Sequence, residues 1–473
     1  MTATAEALER KARRRSRLRL GLEAIAVLGL TAIGIVAIYI FTTEKVASPW
    51  RVAGTHVQDV SRAPGLQTEV SVALDPSNPR NVFAASNETL ETELRVYSST
   101  DGGATWSSRR GPLFDADTCA WGDPAVAIAP TGRQYVAFTE KSICTPGPDL
   151  SPYVVVGSRS GPSGAWVVRR LTRPAVKFGF DDKPAIAVGA DGRVYVAWSR
   201  LLGRAYQTTV LSSSADGGRT WSAPQPVDRR LEQPQLVSLA AGPGRTLYIA
   251  GVDARRGVWV GRSTDRGGHF VIRQAAPLPG SIAATCIVFG KFIIAQQSVR
   301  CLGPNPTVTA TKSRVFVTYG TNGANRTQDV GVAVFGAALN PLGRGIVGPV
   351  DKKKADQFWP VSAVDARTGQ LWACYYDTTG DHERKNAWFS CTASRDGRRW
   401  SRPVRAAPAA ANAGVLWADA LISGYGDSGG WGGYPGLAVR AGVAHALWID
   451  TRNVGSNDEE IFASRLSARA FRP

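Results

Sequence analysis

The sequence predicts an all-β chain folded as a seven-bladed β-propeller of four-stranded blades. An N-terminal strand closes the last blade, and one transmembrane helix precedes the ring. Three observations predict this: a strand pair that recurs seven times, a Ser-x-Asp turn that follows several copies, and an apolar run behind a basic flank. The chain has 473 residues, 44% hydrophobic and 20% charged, with a mean hydropathy of −0.12. Such a composition excludes a disordered chain and a multi-span membrane protein.

Beyond residue 48, short alternating apolar runs are cut by Gly, Pro, Asp and Asn, which is the pattern of strands and turns. The first pair is Glu69-Val-Ser-Val-Ala-Leu with Asn81-Val-Phe-Ala-Ala. Later pairs open at Pro124, Pro184, Pro234, Pro306, Pro360 and Pro435. A third strand follows each pair, and usually a fourth. Units of this kind repeated about an axis make a propeller. The last unit runs out after its third strand. Arg51–Val60 reads as the lone strand that completes it, and closure removes exposed sheet edges.

Between third and fourth strands lies a sharper signal. Ser99-Thr100-Asp101-Gly102-Gly103-Ala104-Thr105-Trp106 is one copy and Ser214-Ala215-Asp216-Gly217-Gly218-Arg219-Thr220-Trp221 another. Ser263 to Phe270 is a variant around Asp265, and Ser394 to Trp400, around Asp396, is one residue short. The Asp side chain takes turn amides and Gly takes positive φ. The aromatic residue (Trp106, Trp221, Phe270, Trp400) is large enough to seal neighbouring sheets. These Asp residues therefore read as structural.

The copies resemble the Asp-box (BNR) repeat of the sialidase superfamily. The resemblance implies a propeller with its ligand site at the axis, on the face opposite the Asp boxes. It also implies, for an enzyme, a Tyr nucleophile activated by Glu, an Asp acid/base and three Arg on the substrate carboxylate. Tyr434 and Glu232 stand at positions similar to the nucleophile and its activator. The family's Phe/Tyr-Arg-Ile-Pro motif is missing, because the first strand opens Thr68-Glu69-Val70. Family sialidases have six blades, which keeps six as the alternative count.

Strand order places Glu69, Asp123, Asp182, Arg200, Asp253, Asp377, His382, Trp431, Asp450 and Arg452 on the ligand face. Long insertions open there at 276–304 and 406–433, the second rich in Gly and aromatics. The leading expectation is a non-catalytic module that binds a glycan or envelope protein. The alternatives are an exo-α-sialidase-like glycosidase and an assembly factor for a membrane complex. No cofactor, metal or nucleic acid is expected, and the ring is expected to be monomeric.

Residues 1–19 form a basic tail, 20–43 a signal anchor and 44–49 a linker to the propeller at 50–473. Ala24–Phe41 spans about 27 Å as a helix, close to a bilayer core. The basic flank predicts a cytoplasmic N-terminus, with the propeller outside the cell membrane. All six cysteines (Cys119, Cys144, Cys286, Cys301, Cys374, Cys391) follow the run, as expected for disulfides in an exported domain. Equal offsets about a hairpin at 381–383 pair Cys374 with Cys391. The net charge is +18, of which residues 48–473 keep 48 − 34 = +14. It is spread over the repeats, a diffuse field that favours anionic glycans or envelope polymers.

Overall fold

The computed structural model describes residues 48–63, 65–88, 93–142, 144, 151–172, 179–202, 206–232, 234–278, 292–294, 297–323, 327–348, 355–412, 433–452 and 459–472. Seven four-stranded antiparallel sheets are formed among them. Blade 1 runs through Gln67–Leu74, Val82–Glu88, Glu93–Ser99 and Ser107–Arg110. Blades 2 to 6 repeat that order, with first strands at Cys119–Ile128, Phe180–Val188, Gln235–Ala241, Thr307–Ala310 and Gln357–Val364. Blade 7 takes Gly436–Arg440, Val443–Asp450 and Glu460–Ser467 and then borrows Thr55–Asp59 as its outer strand. Seven blades, closed from the N-terminal side, resolve the six-or-seven alternative. A short hairpin, Phe292–Ile294 with Gln297–Leu302, stands before blade 5.

The hydrophobic core is not one mass but seven. Each apolar cluster combines side chains of two neighbouring blades, because each sheet buries both faces. The cluster between blades 7 and 1 holds Val70, Tyr97, Leu447 and Ile449, with Trp106 packed against it. Trp221, Phe270 and Trp400 pack in the same way between blades 2 and 3, 3 and 4, and 5 and 6.

The outer turns explain their own sequence. The Asp101 carboxylate accepts from the amides of Ala104 and Thr105, both at 3.0 Å, and from the Thr105 hydroxyl at 2.6 Å. Asp216 repeats this with Arg219 and Thr220. Asp265 accepts from the His269 amide, and Asp396 from the amides of Arg398 and Arg399. Gly102 and Gly103 have φ of 75° and 82°, values an L side chain resists. Disulfides join Cys119 to Cys144 and Cys374 to Cys391, the latter between facing residues of adjacent strands. Cys286 lies outside the described residues, and so does any bridge from it to Cys301.

The transmembrane expectation is corrected. Residues 1–47, with the anchor at 20–43, lie outside the described residues. Among the described residues no helix is long and apolar enough to cross a membrane. Their one helix is the 3₁₀ turn Ala468–Phe471. The buried apolar side chains of the described residues lie on short strands, where they face neighbouring blades. The single-pass placement, with a cytoplasmic N-terminus and an outer propeller, is not retained.

Candidate functional site

The first strand of each blade enters the ring at one face and lines the axis. In six blades its entry carries a non-glycine residue with left-handed backbone: Glu69, Asp123, Lys183, Leu236, Asn305 and Trp359, with φ between 41° and 58°. Tyr434 holds the corresponding position in blade 7, just before Pro435. In five blades the strand pairing slips at this point, so the residue bulges out of its ladder. Left-handed non-glycine residues are individually unfavourable and cluster where function fixes them. Here they form a ring about the axis.

Four members of that ring, with Asn87, make one hydrogen-bonded knot. The Lys183 ammonium donates to Asp123 Oδ1 at 2.8 Å and to Glu69 Oε1 at 3.2 Å. Its charge also stands 4.8 Å from the centre of the Tyr434 ring. The Tyr434 hydroxyl donates to Asp123 Oδ1 at 3.3 Å. Asn87 clamps the knot from blade 1, giving its amide to Glu69 Oε2 at 2.9 Å and taking the Asp123 amide at 2.9 Å. Gly122 permits that clamp: a Cβ there would lie 2.8 Å from the Asn87 amide nitrogen.

Burial and charge divide the protons unequally. Burial alone would raise the Asp123 carboxyl, but the Lys183 ammonium and the hydrogen bonds around it hold it down to about 2. Asp182 is pushed the other way, up to about 7, by burial and then by the charge on Asp123. Burial opposes the Lys183 charge, yet Asp123, Glu69 and Asp182 hold it above the ordinary lysine range. Burial and the same acids keep the Tyr434 hydroxyl protonated, well above the usual tyrosine range. The knot is thus locally acidic within a basic chain.

Behind the ring lies a cavity of about 410 Å³, lined by the first strands of all seven blades. Its walls are mostly Val, Ala, Ile and Leu, with Ser71, Ser238 and Ser362 among them; Lys183, Asn305 and Tyr434 stand in its lining. The size falls in the range of small-molecule sites. Among the described residues no group of three or more His, Cys, Asp or Glu is arranged to hold a metal ion.

The other residues expected at this face are engaged elsewhere. Arg200 forks onto Asp181 at 2.8 and 3.2 Å, and Arg452 onto Asp450 at 2.9 and 2.6 Å. Glu232 pairs with Arg255 at 3.3 Å on the surface, not with Tyr434. Asp253 caps the amides of Glu232, Arg255 and Arg256. Asp377 holds Thr379 and the Trp50 indole, and His382 sits in an exposed turn. Trp431 lies outside the described residues. Arginines of blades 1 and 6 are paired likewise, Arg95 with Glu88 and Arg384 with Asp356. Among the described residues no arginine lines the cavity.

Lys183 and Asn87 are the residues that the sequence reading misses. Lys183 has a legible signal, since the residue before the first-strand proline is the ring residue in blades 2, 3, 5, 6 and 7. Blade 4 breaks that rule. Its left-handed residue is Leu236, two positions after Pro234, which leaves Glu232 outside the ring.

Residues 36–275 match the family model for a BNR repeat-like domain. No curated protein matches the sequence significantly. Among solved structures, a Hadza microbial sialidase is similar at 14% identity and a TM-score of 0.46, covering 74% of this chain and 68% of its own. A Trypanosoma rangeli sialidase is similar at 12% and 0.43, covering 70% of this chain and 56% of its own. A Penicillium chrysogenum alpha-L-arabinanase is similar at 11% and 0.47, covering 90% and 100%.

Proposed function

The chain belongs to the BNR repeat-like domain family, and from that premise we propose a sialidase-like propeller that binds the end of a neutral glycan at its axial ring, without sialidase-type turnover. The observation that carries this reading is the pairing of Lys183 with both Glu69 and Asp123 beside Tyr434. Recognition of a sugar carboxylate needs cations free to face it, and guanidinium forks serve that best. At this ring the cation already has carboxylate partners, so an anionic sugar meets like charge. A neutral sugar can donate hydroxyls to Glu69 and Asp123. Tyr434 is a poor nucleophile here, because its proton is held by burial and directed at an acid with a much lower pKa.

The test joins turnover with binding. A fluorogenic sialoside should show no hydrolysis above the Tyr434→Phe variant, while a glycan array should show neutral ligands that Asp123→Asn no longer retains. Hydrolysis that disappears with Tyr434→Phe would refute the proposal.

One observation favours a second reading, an exo-glycosidase acting on neutral sugars. Asp182, raised to about 7, stands beside the ionised Asp123. The two carboxyls hydrogen-bond each other and retain one proton near neutrality, which a carboxyl pair can lend to acid/base chemistry. Neutral aryl glycosides cleaved by the intact protein but not by Asp182→Asn would support it.

A further inference from the structure

Two tryptophan or phenylalanine side chains stand exposed among those whose burial is described, Phe114 at 39% and Trp121 at 44%. Phe114 lies in the connection from blade 1 to blade 2, and Trp121 lies two residues before Asp123 on the first strand of blade 2, which enters the axial knot. Two residues of strand span about 7 Å. Trp121 is therefore the neighbour of the ring rather than part of it.

Its backbone is fixed on both sides. Cys119, two residues earlier, is bonded to Cys144. Asp123, two residues later, gives its amide to Asn87 at 2.9 Å. The Lys141 ammonium stands 4.9 Å from the centre of the Trp121 ring, so one part of the indole is already engaged. Phe114 is braced similarly, with the Arg170 guanidinium 4.5 Å from its ring. An indole anchored in this way and left open to solvent costs little further ordering when a flat apolar surface is laid on it.

Resting on the axial-ring reading above, we infer that Trp121 is a stacking subsite for the second sugar of the bound chain, so that the ligand is an oligosaccharide rather than a monosaccharide. The terminal residue takes the hydrogen bonds of Glu69, Asp123 and Lys183. The next residue lays its CH-bearing face on the indole. This arrangement requires no new charge, and it reads chain length, not anionic substitution.

The experiment measures binding, by titration calorimetry, of monomer and trimer of β-1,4-linked glucose, α-1,5-linked arabinose and β-1,4-linked N-acetylglucosamine. In the series that binds, the trimer should bind about ten-fold tighter than the monomer, the scale of one aromatic contact. Trp121→Ala should remove that difference without weakening the monomer, and Trp121→Phe should restore part of it. Thermal melts of both variants should match the parent, since the side chain is exposed. Equal affinity for trimer and monomer, or a length preference that survives Trp121→Ala, would overturn the subsite while leaving the axial site standing. No binding of any of these sugars by the parent protein would overturn both.

Discussion

Asp101 and Asp216 in the outer turns and Asp123 at the axis are all carboxylates held ionised below the ordinary range, yet their partners come from different distances along the chain. Asp101 is held first by the hydroxyl and amide of Thr105, four residues on, and Asp216 likewise by Thr220. Asp123 depends on Lys183, 60 residues away, and meets Tyr434 from 311 residues away. The outer turn is a local structure that any one repeat can make. The axial knot needs blades 1, 2 and 3 side by side, and it is complete only when the ring has closed and Tyr434 of blade 7 reaches the axis. Local stability is therefore repeated in the turns, while the chemistry is concentrated in a single assembled place.

Three substitutions would break or sharpen that contrast. The largest effect is expected from Lys183→Met, which leaves the buried carboxylates of Glu69 and Asp123 without their half-buried counter-charge. Urea unfolding should show a loss of about 3 kcal/mol, the scale of a broken buried ion pair. A loss below that of an outer-turn change would mean that the knot is not held by its lysine. The next concerns Asp182. Its folded pKa is raised to about 7, so it contributes stability at low pH that is lost as pH rises through that value. Between pH 5 and 8 the melting temperature of the parent should fall more than that of Asp182→Asn. Parallel curves would remove Asp182 from the titrating set. Asp123, held at about 2, has the opposite sign and acts only in stronger acid.

The smallest effect is expected from Asp396→Ala in the shortened turn of blade 6. Loss of its two amide contacts should cost about 1 kcal/mol. Combined with Lys183→Met the losses should add to within about 0.5 kcal/mol, because the sites share no partner. A larger departure would mean that turn and axis communicate.

The same contrast explains what the sequence made legible. Alternation of apolar residues and the Ser-x-Asp turns are short-range signals, and the blades, their count and the closing strand follow from them. Glu69, Asp123, Asp182 and Tyr434 were placeable on one face because each opens a first strand. Their mutual contacts were not, since these depend on how far each bulge carries its side chain across the axis. By residue type Lys183 carries no comparable signal of its own, since a lysine before a proline reads as an ordinary strand entry. Glu232 stands outside the ring because Pro234 looks like the landmark proline of other blades, while the backbone of blade 4 turns left-handed at Leu236 instead.

The closing strand has a consequence for how the molecule is made. Thr55 pairs with Arg465, 410 residues later in the chain. At about 5–20 residues per second, a ribosome takes on the order of 20–80 s to cover that distance. For that interval the segment Thr55–Asp59 has no ladder to join. Blades 1 to 6 can pack in order as they emerge, but the knot of Tyr434 with Asp123 and Lys183 cannot form before the last blade arrives. The nascent protein is thus an open arc whose axial knot lacks Tyr434, and the ring is completed in the same late step that pairs Thr55–Asp59 with the last blade.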